Sequence, residues 1–161
     1  MDDTEYVDIT PHKSILPKMG QAGYSVSQAI AELIDNAIDA KGNEKILIDV
    51  TIKNDSIQIN DNASGMNKEE LAKAFSLAYS NKKNKLGEFG LGLKTSCQSL
   101  GRQFYIKTSR NGDKNWFLIE YDEEDWLNSE KNSWGKYPLK ILKKQGVFNF
   151  KRISYYFIYN K

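Results

Sequence analysis

The chain has 161 residues and one cysteine, Cys97, which favours a single domain and excludes both an intramolecular disulfide and a metal site built from cysteines alone. Its composition, with 40% hydrophobic and 27% charged residues, excludes a disordered or collagen-like chain. The net charge of +2 conceals an asymmetry, because every acidic residue lies at or before Glu130 and residues 131–161 carry eight Lys and Arg.

The first half of the chain predicts a helix followed by two strands. Ser25 and Gln28 have the spacing of a capping box, and apolar residues recur behind them at helical spacing, so we expect a helix over 25–40. Apolar residues then alternate over 46–53 and again over 57–59, on either side of a turn-forming Asn-Asp-Ser triplet. This pattern predicts two neighbouring strands joined by a short turn.

The second half predicts two further helices and a second pair of strands. Asn67 and Glu70 begin one helix with capping-box spacing, and a third helix is expected over about 93–100. Strand-like segments over 104–109 and 116–121 flank an Asn-Gly turn signal. Strands joined by short turns predict an α+β fold, a two-layer sandwich of a mixed, mainly antiparallel sheet with helices on one face.

Two polar segments suit the binding of a nucleotide and a hard cation. Glu32, Asn36 and Asp39 share one face of the first predicted helix, where the alternatives are a solvated surface and a set of oxygen ligands for Mg²⁺. Asp61 closes the second predicted strand, where a carboxylate can accept a hydrogen bond from an amino group, and Met66 can pack against a flat ring. The Asx residues and glycine around them also suit an ordinary turn, which is the simpler interpretation of that segment.

A glycine-rich segment, residues 87–92, leads into the third predicted helix. Glycines let the backbone approach phosphates closely, and a helix N-terminus presents N–H groups and the positive end of the helix dipole. The pattern alone is weak, because it lacks the preceding strand of a dinucleotide-binding motif and the Gly-Lys pair of a P-loop. It therefore indicates a phosphate site only together with the two polar segments.

In this order and spacing, the three segments resemble the sequence boxes of the GHKL ATPases, the superfamily of gyrase B, the heat-shock chaperone of the same fold, histidine kinases and MutL. The segments that carry the resemblance are the asparagine box at 32–40, the first glycine box at 61–66, the second glycine box at 87–94, and the flanking residues 29–31 and 89–96. The flanking residues look most like the MORC-type and chaperone-like branch. The resemblance covers about residues 10–120 and implies the Bergerat-type ATP-binding fold.

The resemblance implies a role for each box. Glu32 would be the general base for the water that attacks the γ-phosphate, Asn36 would hold Mg²⁺, and Asp61 would accept the amino group of adenine. Residues 80–87 would form the lid over the nucleotide. The residues expected to contact ATP or ADP are Asn36, Asp39, Ala40, Asp61, Gly65, Met66, Ser80, Lys82, Gly87, Phe89, Gly90, Leu91, Gly92, Leu93, Lys94 and Thr95.

Two departures from the family pattern stand out. Ala63 occupies the position of the first glycine in the Asp-x-Gly-x-Gly box, and the threonine that the family carries on a later strand is not found after Leu142. We therefore expect a domain over 1–142, with a sheet left incomplete at its C-terminal end, and a basic, aromatic tail over 143–161. An added strand, a dimer contact, a frayed terminus and a nucleic-acid contact are the alternatives for this tail.

On this resemblance we expect a Mg²⁺-dependent ATP-binding domain that hydrolyses ATP slowly to ADP and acts as a nucleotide-driven switch of its lid and of homodimerisation. The alternative is a nucleotide-binding or interaction module that does not hydrolyse ATP and works through a protein or DNA partner. A protein kinase relative is disfavoured, because no histidine-containing phosphoacceptor helix is apparent. The single cysteine, and the lack of any run near the ~20 apolar residues of a membrane span, predict a cytoplasmic location without membrane contact.

Overall fold

A computed structural model of the chain describes residues 5–43, 45–77, 91–110, 112–144 and 153–158. The helices and strands of these residues are α1 (Ile15–Gln21), α2 (Val26–Asp39), β1 (Ile48–Ile52), β2 (Ser56–Asp61), α3 (Lys68–Phe75), α4 (Gly92–Leu100), β3 (Gln103–Thr108), β4 (Asn115–Asp122), α5 (Glu123–Asn128), β5 (Lys140–Lys143) and β6 (Ile153–Ile158).

The six strands form one sheet in the order β1-β2-β6-β3-β4-β5. Every neighbouring pair in it is antiparallel. The predicted α+β class is therefore confirmed. The last strand in the chain lies at the centre of the sheet, between β2 and β3, and joins the two strand pairs that the sequence predicts.

The central strand β6 comes from the region that the sequence analysis assigned to a tail. Ile153, Tyr155 and Phe157 are buried on the face that meets the helices. Tyr156 lies on the opposite face and stacks on Tyr105 of β3, with ring centroids 5.3 Å apart. Because both faces of β6 carry large rings, its period of two is hidden in a hydropathy pattern, which explains why the sequence did not predict this strand.

The predicted helix starts are confirmed in detail. At the beginning of α2, the Ser25 hydroxyl accepts a hydrogen bond from the Gln28 N–H, and the Gln28 side chain accepts one from the Ser25 N–H. Asn67 and Glu70 form the same reciprocal pair at α3. These bonds satisfy backbone donors that a helix N-terminus leaves without a partner.

Two helices, α1 and α5, were not predicted. The acidic run 122–125 has the composition of a solvated loop, but the Asp122 side chain accepts a hydrogen bond from the Asp125 N–H and caps α5. Acidic residues in a first helical turn interact favourably with the helix dipole, so the charge run stabilises a helix here. Among the described residues, no helix has the length and apolar character needed to cross a membrane.

The core lies between the helices and one face of the sheet. α4 packs against both α1 and α2, and so lies at the centre of the helical layer. The largest fully buried side chains include Leu33 of α2, Leu71 of α3 and Leu100 of α4, together with Ile57, Ile59, Ile106, Tyr121 and Phe157 of the sheet. This packing holds α2 and α4 next to one another, which matters for the candidate site.

Candidate functional site

The first glycine box is attached to the end of the asparagine box. The Ser64 N–H donates a hydrogen bond to the Ala40 carbonyl at 3.0 Å, immediately after α2. The Asn62 side chain accepts from the Leu47 N–H at 2.7 Å and donates to the Lys45 carbonyl at 3.0 Å. The loop after β2 is therefore held against both the C-terminus of α2 and the residues that lead into β1.

Asp61 is a buried carboxylate at the end of β2. Only 2% of the residue is exposed, and its Oδ1 accepts a hydrogen bond from the Ala63 N–H at 2.9 Å. Burial raises the pKa of the Asp61 carboxyl from 3.8 to about 6, and the hydrogen bond from Ala63 partly opposes that rise. At neutral pH the group is therefore ionised, but it is held in a site that penalises its charge.

The remainder of the first glycine box is tied to the neighbouring strand β3. Gly65 has a φ of 68°, in the left-handed region that favours glycine. The next residue, Met66, donates its backbone N–H to the hydroxyl of Thr108 at 2.9 Å. Thr108 is fully buried at the end of β3, so this bond anchors the loop to the centre of the sheet.

The strand that lies beside Asp61 is β6. Ile153 pairs with Asp61 on one side and with Thr108 on the other. Directly opposite residues of paired strands present their side chains on the same face, so the three form one row. The residue of β6 in this row is Ile153, and the threonine of the row is Thr108 on β3. Sequence reasoning missed Thr108, because nothing local to its strand signals this proximity.

A tyrosine that the sequence analysis did not select also lies near Asp61. Tyr155 follows Ile153 on the same face of β6 and is buried. Burial raises the pKa of its hydroxyl well above the ordinary value, and the charge of Asp61 adds to that rise. Tyr155 therefore stays neutral and forms part of the wall around the carboxylate.

The asparagine box meets the second glycine box where Glu32 approaches α4. A methyl group built on Gly92 would overlap Oε1 of Glu32, so the carboxylate rests against the first residue of that helix. Glu32 and Asn36 are both half-buried and lie one turn apart on α2. In the part of the chain that the structure describes, no side chain caps the N-terminus of α4 at Leu91. A carboxylate is therefore brought to a helix N-terminus, with the Asn36 amide one turn further along α2.

A buried lysine lies within the first turn of α4. Lys94 is only 4% exposed, and burial lowers the pKa of its ammonium from 10.5 to about 8, against a smaller opposing effect of Cys97. Cys97 itself is fully buried, and burial raises the pKa of its thiol, as expected for a structural rather than a reactive cysteine. Lys94 thus provides a cation near the end of a helix that already attracts anions.

The remaining predicted site residues fall into two groups. Asp39 and Leu91 are exposed, and Leu93 and Thr95 are half-buried on α4. Ser80, Lys82, Gly87, Phe89 and Gly90 lie outside the described residues.

The polar and charged groups of this site fit an adenine nucleotide with one hard cation. The described part of the chain has no cluster of three or more His, Cys, Asp or Glu side chains that could enclose a metal. Mg²⁺ commonly takes one or two protein oxygens and completes its shell with phosphate oxygens and water, so Asn36 suits it as a single ligand. Asp61 suits an amino group, and the N-terminus of α4 with Lys94 suits phosphates.

Comparison with known proteins gives one family and a group of relatives. Residues 24–153 match the family described as histidine kinase-, DNA gyrase B-, and HSP90-like ATPase. The chain is 35% identical over 95 residues to the ATPase morc-1 of Caenorhabditis elegans, 36% identical over 94 residues to Protein MICRORCHIDIA 3 of Arabidopsis thaliana, and 38% identical over 93 residues to MORC family CW-type zinc finger protein 3 of Mus musculus. These alignments cover 58%, 52% and 53% of this chain, but only 11%, 16% and 10% of the respective relatives.

Proposed function

Since the chain belongs to the histidine kinase-, DNA gyrase B- and HSP90-like ATPases and is similar to their MORC members, we propose that this ATP-binding module depends on Mg²⁺ and hydrolyses ATP slowly to ADP. The observation that carries the proposal is the meeting of the sequence boxes. Ser64 of the first glycine box bonds to Ala40, and Gly92 of the second glycine box contacts Glu32. Two separate points of the asparagine-box helix are thereby joined to the segments that would bind the base and the phosphates.

Adenine recognition is assigned to Asp61. Its ionised carboxylate would accept a hydrogen bond from the exocyclic amino group, whereas guanine presents a carbonyl oxygen at that position. Two acceptors facing each other in a buried site leave both without a donor, which costs about 1–3 kcal/mol or more for a charged group. Met66 would pack against the ring, and Gly65 would line the same pocket.

Phosphate binding is assigned to the first turn of α4. The helix N-terminus favours negative charge, and the ammonium of Lys94, a residue of the same turn, would add a positive charge. Asn36 would hold the metal ion, which when bound offsets the charge of the phosphate oxygens. Glu32 would orient the attacking water and accept its proton, because the carboxylate lies beside the same helix end.

The proposal also includes a nucleotide-driven switch of the lid and interactions with partner molecules. Residues 80–87 would form the lid, and closure on ATP would favour a homodimer and action through a DNA or protein partner. The chain spans 10–16% of the length of the relatives named above, so their whole-protein activities lie beyond what these residues carry.

The test is calorimetric titration with ADP and ATP in the presence of Mg²⁺, combined with a phosphate-release assay. Asp61→Asn is expected to abolish binding, while the matched control Asp55→Asn on the exposed β1–β2 turn keeps it. Glu32→Ala should bind ATP and release no phosphate, with the exposed Glu69→Ala as control. Unchanged affinity in Asp61→Asn would refute the assigned pocket. Binding by the native chain without phosphate release would instead support the non-hydrolysing module.

A further inference from the structure

The Glu32 carboxylate occupies the space that a side chain at Gly92 would fill. A Cβ atom built on Gly92 would overlap Oε1 of Glu32 and lie 2.9 Å from its Cδ and 3.4 Å from its Cγ. The whole end of the glutamate side chain therefore lies along the first residue of α4. This contact joins the proposed base to the helix that is assigned to the phosphates.

Backbone freedom does not explain why a glycine stands at this position. The glycines with a positive φ in the described residues are Gly65 and Gly112, and Gly92 is not among them. Alanine is also the better helix former, so a glycine within α4 does not serve the helix itself. What distinguishes Gly92 is the absence of a side chain on the surface that Glu32 contacts.

We propose that Gly92 is a positioning residue for Glu32, and this inference rests on the proposed ATP hydrolysis. The neighbouring Leu33 and Ala29 are 1% and 0% exposed, so α2 is locked in rotation by its buried face. A methyl group at position 92 would therefore be accommodated by torsions of the flexible Glu32 side chain and not by movement of the helix. The fold tolerates the change, but the carboxylate leaves its position.

The displaced carboxylate is expected to lose most of its function as a base. A general base must lie within hydrogen-bond reach of the proton that it accepts, and a misplacement of about 1 Å can cost about 100-fold in rate. Gly92→Ala should thus lower kcat about 100-fold. Gly92 is among the residues expected to contact ATP, but a Cβ atom at this position would point at Glu32 and leave the backbone N–H groups of the helix end available to phosphates. The dissociation constant for ATP should therefore stay within about threefold.

The competing explanation is that Gly92 is needed only so that phosphates can approach the backbone. In that case Gly92→Ala weakens nucleotide binding, and it does so equally when Glu32 is replaced by alanine. Kinetics alone would not separate a shifted base from a distorted helix. The design therefore combines Gly92→Ala with Glu32→Asp, whose shorter side chain withdraws from position 92, and with Glu32→Ala.

The experiment measures kcat, the ATP dissociation constant and Tm for the native chain, Gly92→Ala, Glu32→Asp, Glu32→Ala and the two double variants. Gly42→Ala is the matched control, since nothing lies within 4 Å of a methyl group there. We expect Gly92→Ala to lower kcat at nearly constant affinity and to have little further effect in the Glu32→Asp background. Gly92→Ala should also change Tm. We expect this change in Tm to differ by about 2 °C or more between the native and the Glu32→Ala backgrounds.

Three results would overturn the inference: unchanged kcat in Gly92→Ala, a tenfold or larger loss of ATP affinity in both the native and the Glu32→Ala backgrounds, or an identical Tm effect in those two backgrounds. A native chain that binds ATP without releasing phosphate would refute the proposed hydrolysis by itself. The Tm comparison would then still decide whether Glu32 and Gly92 are coupled, so the two failures are distinguishable.

Discussion

Asp61 is predicted to destabilise the unliganded domain at neutral pH while making nucleotide binding possible. Burial raises the pKa of its carboxyl from 3.8 to about 6. Since one pKa unit corresponds to about 1.36 kcal/mol, the ionised group costs up to about 3 kcal/mol of folding free energy above pH 6. The carboxylate that we assign to adenine is therefore expected to be maintained at the expense of stability.

The direction in which the free energy of unfolding changes with pH follows from proton binding to Asp61. Between pH 6 and 3.8 the folded state holds a proton on Asp61 that the unfolded state has released, so the free energy of unfolding rises as the pH falls through this window. This direction is opposite to that of a salt-bridged aspartate. Nucleotide binding has the reverse dependence, because the protonated carboxyl no longer accepts freely from an amino group, and affinity should fall about tenfold per pH unit below 6.

The assay compares native protein and Asp61→Asn by urea unfolding and by ADP titration at pH 7.5 and pH 5. Asparagine carries no charge, so we expect the variant to exceed the native chain in stability by about 1–3 kcal/mol at pH 7.5. At pH 5, which lies between the folded and unfolded pKa values of Asp61, this advantage should be smaller by about 1.4 kcal/mol. The difference between the two proteins removes the contribution of every other titrating group. A variant that is less stable than the native chain at pH 7.5, or an equal difference at both pH values, would refute the reasoning.

Three further substitutions test the elements that build the site. Gly65→Ala places a side chain at a φ of 68° and should cost about 1–2 kcal/mol in urea unfolding, whereas Gly42→Ala should be nearly neutral. Phe157→Ala, on the fully buried face of β6, should cost about 3–5 kcal/mol, against almost nothing for the 95% exposed Tyr6→Ala; equal effects would mean that β6 is not central to the sheet. Thr108→Val removes the acceptor of a loop N–H and should cost about 1–3 kcal/mol with weaker ADP binding, while Thr108→Ser restores both; no rescue by serine would contradict the role of the hydroxyl.

Much of the fold could be predicted because its signals are local. The capping pairs at Ser25 and Asn67 each lie within four residues, so composition and spacing alone indicate where α2 and α3 begin. β6 could not be predicted in the same way, because both of its faces carry aromatic residues and its pairing partners lie far away along the chain. The acidic run at α5 does not reveal its helix by composition alone, since a capped helix and a solvated loop share that composition.

The candidate site also has one part that the sequence predicts and another that only the tertiary structure shows. The order of its three boxes can be read from the sequence, and the resemblance to the family that these boxes carry implies the choice of Glu32, Asn36 and Asp61. Only the tertiary structure places Ile153 between Asp61 and Thr108, and only packing of α4 against α2 brings Gly92 onto Glu32. The sign and size of the Asp61 pKa shift likewise depend on burial, which no short stretch of sequence contains. The physical reason is that strand register and helix packing are set by contacts between residues distant in sequence, whereas capping and residue chemistry are set within a few residues.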